Sequence, residues 1–222
     1  VLSVRSELGG RARLGLLVLR GVGVAPASEE LAEETRALGE SLRARFGDRP
    51  SGEVPGVEAA RALYKSLGLD PTKQRPSSEA LLRRVLKGEA LYRVNTLVDA
   101  LNLCSLRQQL PYGLYDLDRI EPPVVLRLGR PGESYEGIRK GLLQAEGKPV
   151  LADAVGPFGN PSADSARTQI TPGTQNAIVV LYAPGSLAPA AAFEKLKETG
   201  ATLVRFCGGE QEEPFSPEGA AP

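Results

Sequence analysis

Val94-Asn-Thr-Leu-Val-Asp-Ala-Leu-Asn-Leu-Cys-Ser-Leu106 is the stretch on which the reading of this chain turns. It holds no lysine, arginine or glutamate, whereas a surface helix carries several, so it predicts a helix from Asn95 to Leu110 that is buried on most sides. Asn95, Asp99 and Asn102 recur at i, i+4 and i+7 and share one stripe, while Leu97, Val98, Leu101 and Cys104 fill the opposite side. A carboxylate between two carboxamides on an otherwise apolar helix must find partners, because an unpaired buried charge is costly. Two readings are open from the spacing: a satisfied network that holds neighbouring loops, or a pocket wall facing a polar ligand or an ordered water.

Working outward, the run Leu14–Leu19 predicts a buried strand within Ala12–Val22, and Ser28 followed by Glu29 and Glu30 opens a helix over Ala27–Phe46. Further helices are expected over Val57–Leu67, stopped by Gly68, and from Ser77 to Gly88, with a loop at Pro71–Pro76 between them. Beyond Pro111 and Gly113 the character changes. Val124–Leu128, Pro149–Asp153 and Ala177–Tyr182 predict strands, then Ala188–Thr199 a helix and Ala201–Phe206 a final strand. Helices early and strands late give an α+β class, with one domain over 1–207 and a mobile acidic tail over 208–222.

The 222 residues, 41% apolar and 24% charged, suffice for a core of the chain's own. Twenty-seven basic residues balance twenty-seven acidic ones, so affinity for nucleic acid has to be local. There is no histidine, which excludes a Ser-His-Asp triad, a Cys-His pair and an imidazole base. No metal site or cofactor is expected: two cysteines far apart make no zinc site, and no Walker or dinucleotide fingerprint occurs. Cys104 and Cys207 read as unpaired thiols of a reducing cytosol, and a cytoplasmic location is expected. No run reaches the roughly 20 apolar residues of a bilayer span, so no membrane partner is expected. No Met precedes Val1, which reads as a trimmed start. Abundant arginine and proline accord with thermostability.

Charge is uneven along the chain. Pro26–Ala60 carries eight acidic and four basic residues, whereas Arg61–Arg93 carries eight basic and three acidic. Arg75, Arg83, Arg84, Lys87 and Arg93 within the second segment are candidates for phosphate contact, against the alternative of solvated helix faces. A second polar cluster, Gly156–Asn176, includes Gly159, Asn160, Ser162, Asp164, Thr168 and Thr174, and long ordered loops of this kind often form binding sites. Asp116 and Asp118 sit in a Tyr-Asp-Leu-Asp turn, where capping of the turn is the default role.

Asn95-x3-Asp99-x2-Asn102, followed by Leu110-Pro111-Tyr112-Gly113-x-Tyr115-Asp116, resembles the Asn…Val-Asp-Ile-Thr-Asn…Gln-Pro-Leu-His-Ala-Phe-Asp stretch of the phenylalanyl-tRNA synthetase β-subunit editing domain. Leu151-Ala-Asp-Ala-x-Gly156, then Thr168-x5-Thr174 and the strand after it, is similar to that domain's second half. The resemblance covers roughly Val57–Ala183 and is to a free-standing version of the domain. It implies a three-layer α+β fold with an unusual β-sandwich, and hydrolysis of a mischarged aminoacyl-tRNA with the aminoacylated 3′ end as partner. By the same transfer Asn102 and Asp99 would be catalytic. Asn95, Leu101, Gly113, Gly156, Gly159, Asp164, Thr168 and Thr174 would belong to the pocket.

A hydrolytic site without histidine suits such a substrate, because an aminoacyl ester is already activated and positioning can replace a strong base. Three positions depart from the pattern: Gly113 stands for the histidine, Leu101 for the threonine before the asparagine, and no glutamate lies near Val180 and Leu181. Alternatives to trans-editing are a non-catalytic module that binds RNA or a protein partner on the same scaffold, and an enzyme for small amino-acid-like esters.

Overall fold

In the computed structural model, which describes residues 4–217, the helices are α1 (Glu29–Phe46), α2 (Val57–Ser66), α3 (Ser77–Leu86), α4 (Thr96–Gln108) and α5 (Pro189–Cys207). The strands are β1 (Val4–Ser6), β2 (Ala12–Arg20), β3 (Tyr112–Asp116), β4 (Val124–Leu128), β5 (Ser134–Gly137), β6 (Gly141–Gln144), β7 (Pro149–Ala152), β8 (Pro157–Asn160), β9 (Ala163–Asp164), β10 (Ala177–Pro184) and β11 (Glu210–Gln211).

Every residue of β10 is buried, as suits a strand covered on both faces. It pairs antiparallel with β2, from Ala177 opposite Leu19 to Pro184 opposite Ala12, and on its other side with β3. With β11 these form a sheet in the order β11-β2-β10-β3, and the second sheet runs β1-β4-β7-β8-β9. The two-residue period of the strands then decides the layers. Leu14, Leu16, Val18, Ile178, Val180 and Tyr182 meet Val124, Leu126, Leu151 and Phe158 of the second sheet. Leu17, Leu19, Val179 and Leu181 meet Leu97 and Leu101 of α4 and Leu196 and Leu203 of α5. Helices, sheet and sheet make the three layers of the expected α+β class. A satellite cluster of Val54, Val57, Leu82, Val85 and Leu106 joins α2, α3 and α4, with Leu38 and Leu42 of α1 packed on it.

Ser28 caps α1 by accepting from the Leu31 N–H at 3.2 Å. Two expectations are corrected. Ala201–Phe206 is the continuation of α5 and not a strand: Leu196, Leu203 and Cys207 recur on one buried face, and this packing outweighs the strand-like alternation. A Cβ at Gly200 would stand 2.6 Å from the Leu17 side chain, so the glycine lets α5 lie close on β2. The acidic segment after Cys207, expected as a mobile tail, runs along β2: Glu210 pairs with Arg20, and Leu16 and Phe215 exchange backbone hydrogen bonds at 2.9 Å. Residues 218–222 of that expected tail lie outside the described residues. Cys104 and Cys207 are unpaired and buried. Among the described residues no helix is long and apolar enough to cross a membrane.

Candidate functional site

The polar stripe of α4 divides its labour. Asn95 is the N-cap and accepts from the Val98 N–H at 2.9 Å. Asp99, in the first turn, accepts from the Val94 N–H at 3.0 Å. Burial raises the Asp99 carboxyl above its ordinary pKa, against the pull of that N–H and of Arg93. Both groups serve the start of the helix, where a carboxylate also meets the positive end of the helix dipole. Asn102, one turn further, is half-buried and lines two clefts.

The cleft on one side, about 410 Å³, lies between α1, α4 and the segment 88–93. Asp99 and Arg93 line it, but Arg93 is paired with Glu29 at 2.8 Å. The cleft on the other side, about 510 Å³, gathers polar groups from four parts of the chain. Asn102 and Ser105 come from α4, Arg75 from the loop before α3, Lys140 from the β5–β6 turn, and Asn160, Ser162 and Asp164 from β8, β9 and the turn between them. Convergent polar side chains over apolar walls such as Leu81, Val98 and Leu101 are the usual makeup of a small-molecule site.

The β8–β9 turn is held from every direction. Asn160 Oδ1 accepts from the Ser162 and Ala163 N–H groups at 2.7 and 2.9 Å, while its Nδ2 donates to the Tyr135 hydroxyl at 2.8 Å. The Tyr64 hydroxyl donates to the Pro161 carbonyl at 2.8 Å, and Gln74 Nε2 donates to Ser162 Oγ at 3.1 Å. This bonding, with the Asp164 carbonyl accepting from the Ile138 N–H at 3.1 Å, fixes the backbone that carries Asp164. Burial pushes its carboxyl up to about 7, against the hydrogen bond from the Tyr115 hydroxyl and the positive charge of Lys140. The Tyr182 hydroxyl lies 3.0 Å behind that of Tyr115. Burial also raises Tyr64, Tyr115, Tyr135 and Tyr182, so these phenols stay neutral around the acid.

The sequence profile of the B3/4 domain matches residues 59–199, from α2 into α5. The chain belongs to the B3/4 domain family. Among solved structures it is similar to an N-terminal fragment of the phenylalanyl-tRNA synthetase β subunit from Pyrococcus horikoshii, at 13% identity and a TM-score of 0.49. That similarity covers 95% of this chain and 50% of the fragment, so the chain spans half the fragment's length. No curated protein matches.

Within this B3/4 domain, the structure brings Asn102, Leu101, Asp164 and Arg75 to the larger cleft. The other expected pocket residues lie elsewhere, and each has a structural reason. Gly113 and Gly159 face the Tyr115 ring between the sheets, where a Cβ would stand 2.5 and 2.3 Å from its hydroxyl oxygen. Gly156 is in the turn after β7 at φ +144°, a conformation that favours glycine, and its N–H donates to Asp153 Oδ1 at 3.2 Å. Thr174 donates to Asp116 Oδ2 at 2.7 Å, and the Thr168 carbonyl accepts from the Asp116 N–H at 2.9 Å. Asp116 also accepts from the Asp118 N–H, the turn-capping role expected of it.

The basic candidates separate as well. Arg84 stacks on Tyr92 with its guanidinium 4.1 Å from the ring centre and bonds the Ala90 carbonyl. Arg83 and Lys87 line a further cleft. Sequence reasoning missed Ser105, Lys140 and the phenols behind Asp164. Alternation in Tyr112-Gly-Leu-Tyr115 could have marked β3 and with it Tyr115, whereas Lys140 and Tyr135 carry no local signal.

Proposed function

We propose that this B3/4 domain hydrolyses an aminoacyl ester, with the aminoacylated 3′ end of a tRNA as the substrate class, in the cleft between α4 and the β8–β9 turn. The observation that carries the reading is the rigidly held Asp164, titrating near neutrality, in one cleft with the Asn102 amide. Family membership supports the tRNA link. Ionised Asp164 takes a proton from a water, whose oxygen attacks the ester carbonyl. The Asn102 amide donates to the oxyanion that develops. The carbon–oxygen bond to the ribose then breaks, and the proton held by Asp164 passes to the leaving ribose oxygen. Lys140 and Arg75 at the cleft supply positive charge for the nucleotide.

The test is purified protein against a panel of misacylated tRNAs, with Asn102→Ala and Asp164→Asn alongside. Expected is deacylation of at least one, reduced about 100-fold in either variant. Absence of deacylation across the panel, or full activity in both variants, rejects the reading. A second reading, RNA binding without turnover, is favoured by one observation. The position of the family's histidine is Gly113, and the Tyr115 phenol fills the space a side chain would need there. It predicts salt-sensitive tRNA binding with no released amino acid.

A further inference from the structure

On the far side of α3 from Asn102 lies a cleft of about 440 Å³, between the turn Ser51–Glu53, α2 and α3. Five cationic side chains line it, Arg49, Arg61, Arg75, Arg83 and Lys87, against the carboxylates of Glu53 and Glu79. Glu79 is fully buried at 0% exposure and is already engaged. It accepts from Arg61 Nε at 2.8 Å and Arg61 Nη2 at 2.7 Å and from Ser51 Oγ at 3.0 Å, with Arg75 Nε 3.5 Å away. Its carboxyl stays below the ordinary pKa because these partners outweigh burial. One buried carboxylate thus holds two guanidiniums in fixed positions and neutralises only one of them.

Arg49, Arg83 and Lys87 are exposed, and among the described residues none has a carboxylate within 4.0 Å. Arg75 Nε is buried without a hydrogen-bond partner, so its guanidinium is not saturated by the protein. Fixed, forked guanidiniums beside exposed cations suit phosphate oxygens, which accept several charge-assisted hydrogen bonds at once. Arg75 also lines the Asn102–Asp164 cleft, which makes the two clefts neighbours across a single side chain.

We propose that this cleft is a phosphate-binding site that takes the backbone phosphates of an RNA strand. The RNA assignment rests on the hydrolytic reading above, because a strand whose 3′ end enters the Asn102 cleft would run past Arg75. The phosphate chemistry stands on the cleft alone. Arg49 and Arg61 join Arg75, Arg83 and Lys87 in it, whereas Arg84 and Arg93 do not.

The experiment is binding, read by fluorescence anisotropy with a labelled short single-stranded RNA, and by calorimetry with inorganic phosphate and pyrophosphate. Arg83→Glu with Lys87→Glu changes only exposed positions, one in the last turn of α3 and one at its C-cap. The charge-matched control is Arg130→Glu with Lys148→Glu, exposed in the β4–β5 and β6–β7 connections and outside the lining of this cleft. Expected for the α3 pair is at least a tenfold loss of RNA affinity and a salt dependence shallower by about two ion equivalents, with the control unchanged. Inorganic phosphate bound as tightly as RNA and lost in the same variant would retain the phosphate site but overturn RNA as its source. RNA and phosphate binding that are indifferent to the α3 reversals would overturn the proposal. Asp164→Asn separates the two ideas: it is expected to reduce turnover about 100-fold and leave RNA affinity intact. Absence of hydrolysis by the native chain, with RNA still bound, would sink the hydrolytic reading without touching the binding result.

Discussion

Asp164→Asn should change how stability depends on pH, independently of any substrate. The carboxyl is moved from an ordinary 3.8 to about 7. Three units at about 1.4 kcal/mol each set a ceiling of about 4 kcal/mol, and water on the cleft side brings the expected figure to about 2–4 kcal/mol. The folded state holds this proton more tightly than the unfolded chain. The contribution is therefore fully present below the ordinary carboxylate range, falls as pH rises across the interval, and is lost above about 7. Asparagine has no proton to lose and keeps the shape. In urea unfolding at about pH 5 and about pH 8, the variant should gain roughly 2 kcal/mol or more on the native chain between the two conditions. Hydrolysis by the native chain should rise with pH through about 7 and level off. Parallel stability curves for the two proteins would refute the account of Asp164 as an acid held neutral by its surroundings.

Asn95→Ala should cost about 1 kcal/mol through loss of the helix cap, whereas Asn102→Ala should leave the unfolding free energy in urea within about 0.5 kcal/mol and act on turnover alone. Glu79→Ala strands Arg61 and Arg75 beside an empty buried site and should destabilise by about 3–5 kcal/mol, readable as a lower thermal midpoint. Because its partners hold the Glu79 carboxyl low, the native chain should lose that contribution as pH falls through the carboxylate range, and the alanine variant should show a flatter acid limb. Gly159→Ala should cost about 1–3 kcal/mol by forcing the Tyr115 ring to move, with a partial recovery in Gly159→Ala combined with Tyr115→Phe.

Local pattern carried the fold where a segment's own burial decides its form. Ser28, the apolar run of β2 and the strand at Val124–Leu128 were legible because each signal lies within a few residues of the structure it causes. The strand expected at Ala201–Phe206 failed because the helix period of Leu196, Leu203 and Cys207 runs from position 196 to 207 and competes with a short alternating run. The tail failed for a different reason. Glu210 and Gln211 have no strand composition, and β11 exists because the β2 edge offers unpaired backbone groups. The site was half legible on the same terms. Asn102 stood out as a polar residue on an apolar helix and Asp164 as a member of the polar cluster Gly156–Asn176, but that α4 would meet the β8–β9 turn, and that Arg75 would face both clefts, depends on contacts between distant parts of the chain.

The absence of histidine makes the environment of Asp164 the central physical question of this molecule. A general base at neutral pH needs a group that titrates there, and an ordinary aspartate is far too acidic. Direct contact with a cation would make the carboxyl more acidic still. Phenols provide the alternative: raised far from their ordinary range by burial, Tyr115 and Tyr182 stay neutral and supply a hydrogen bond and apolar ring surface without supplying charge. Lys140 remains close enough to pull the carboxyl down, yet burial prevails and leaves it at about 7. This arrangement also explains the two glycines that flank the ring: Gly113 and Gly159 give the Tyr115 phenol its place between the sheets, because a Cβ at either position would collide with its hydroxyl.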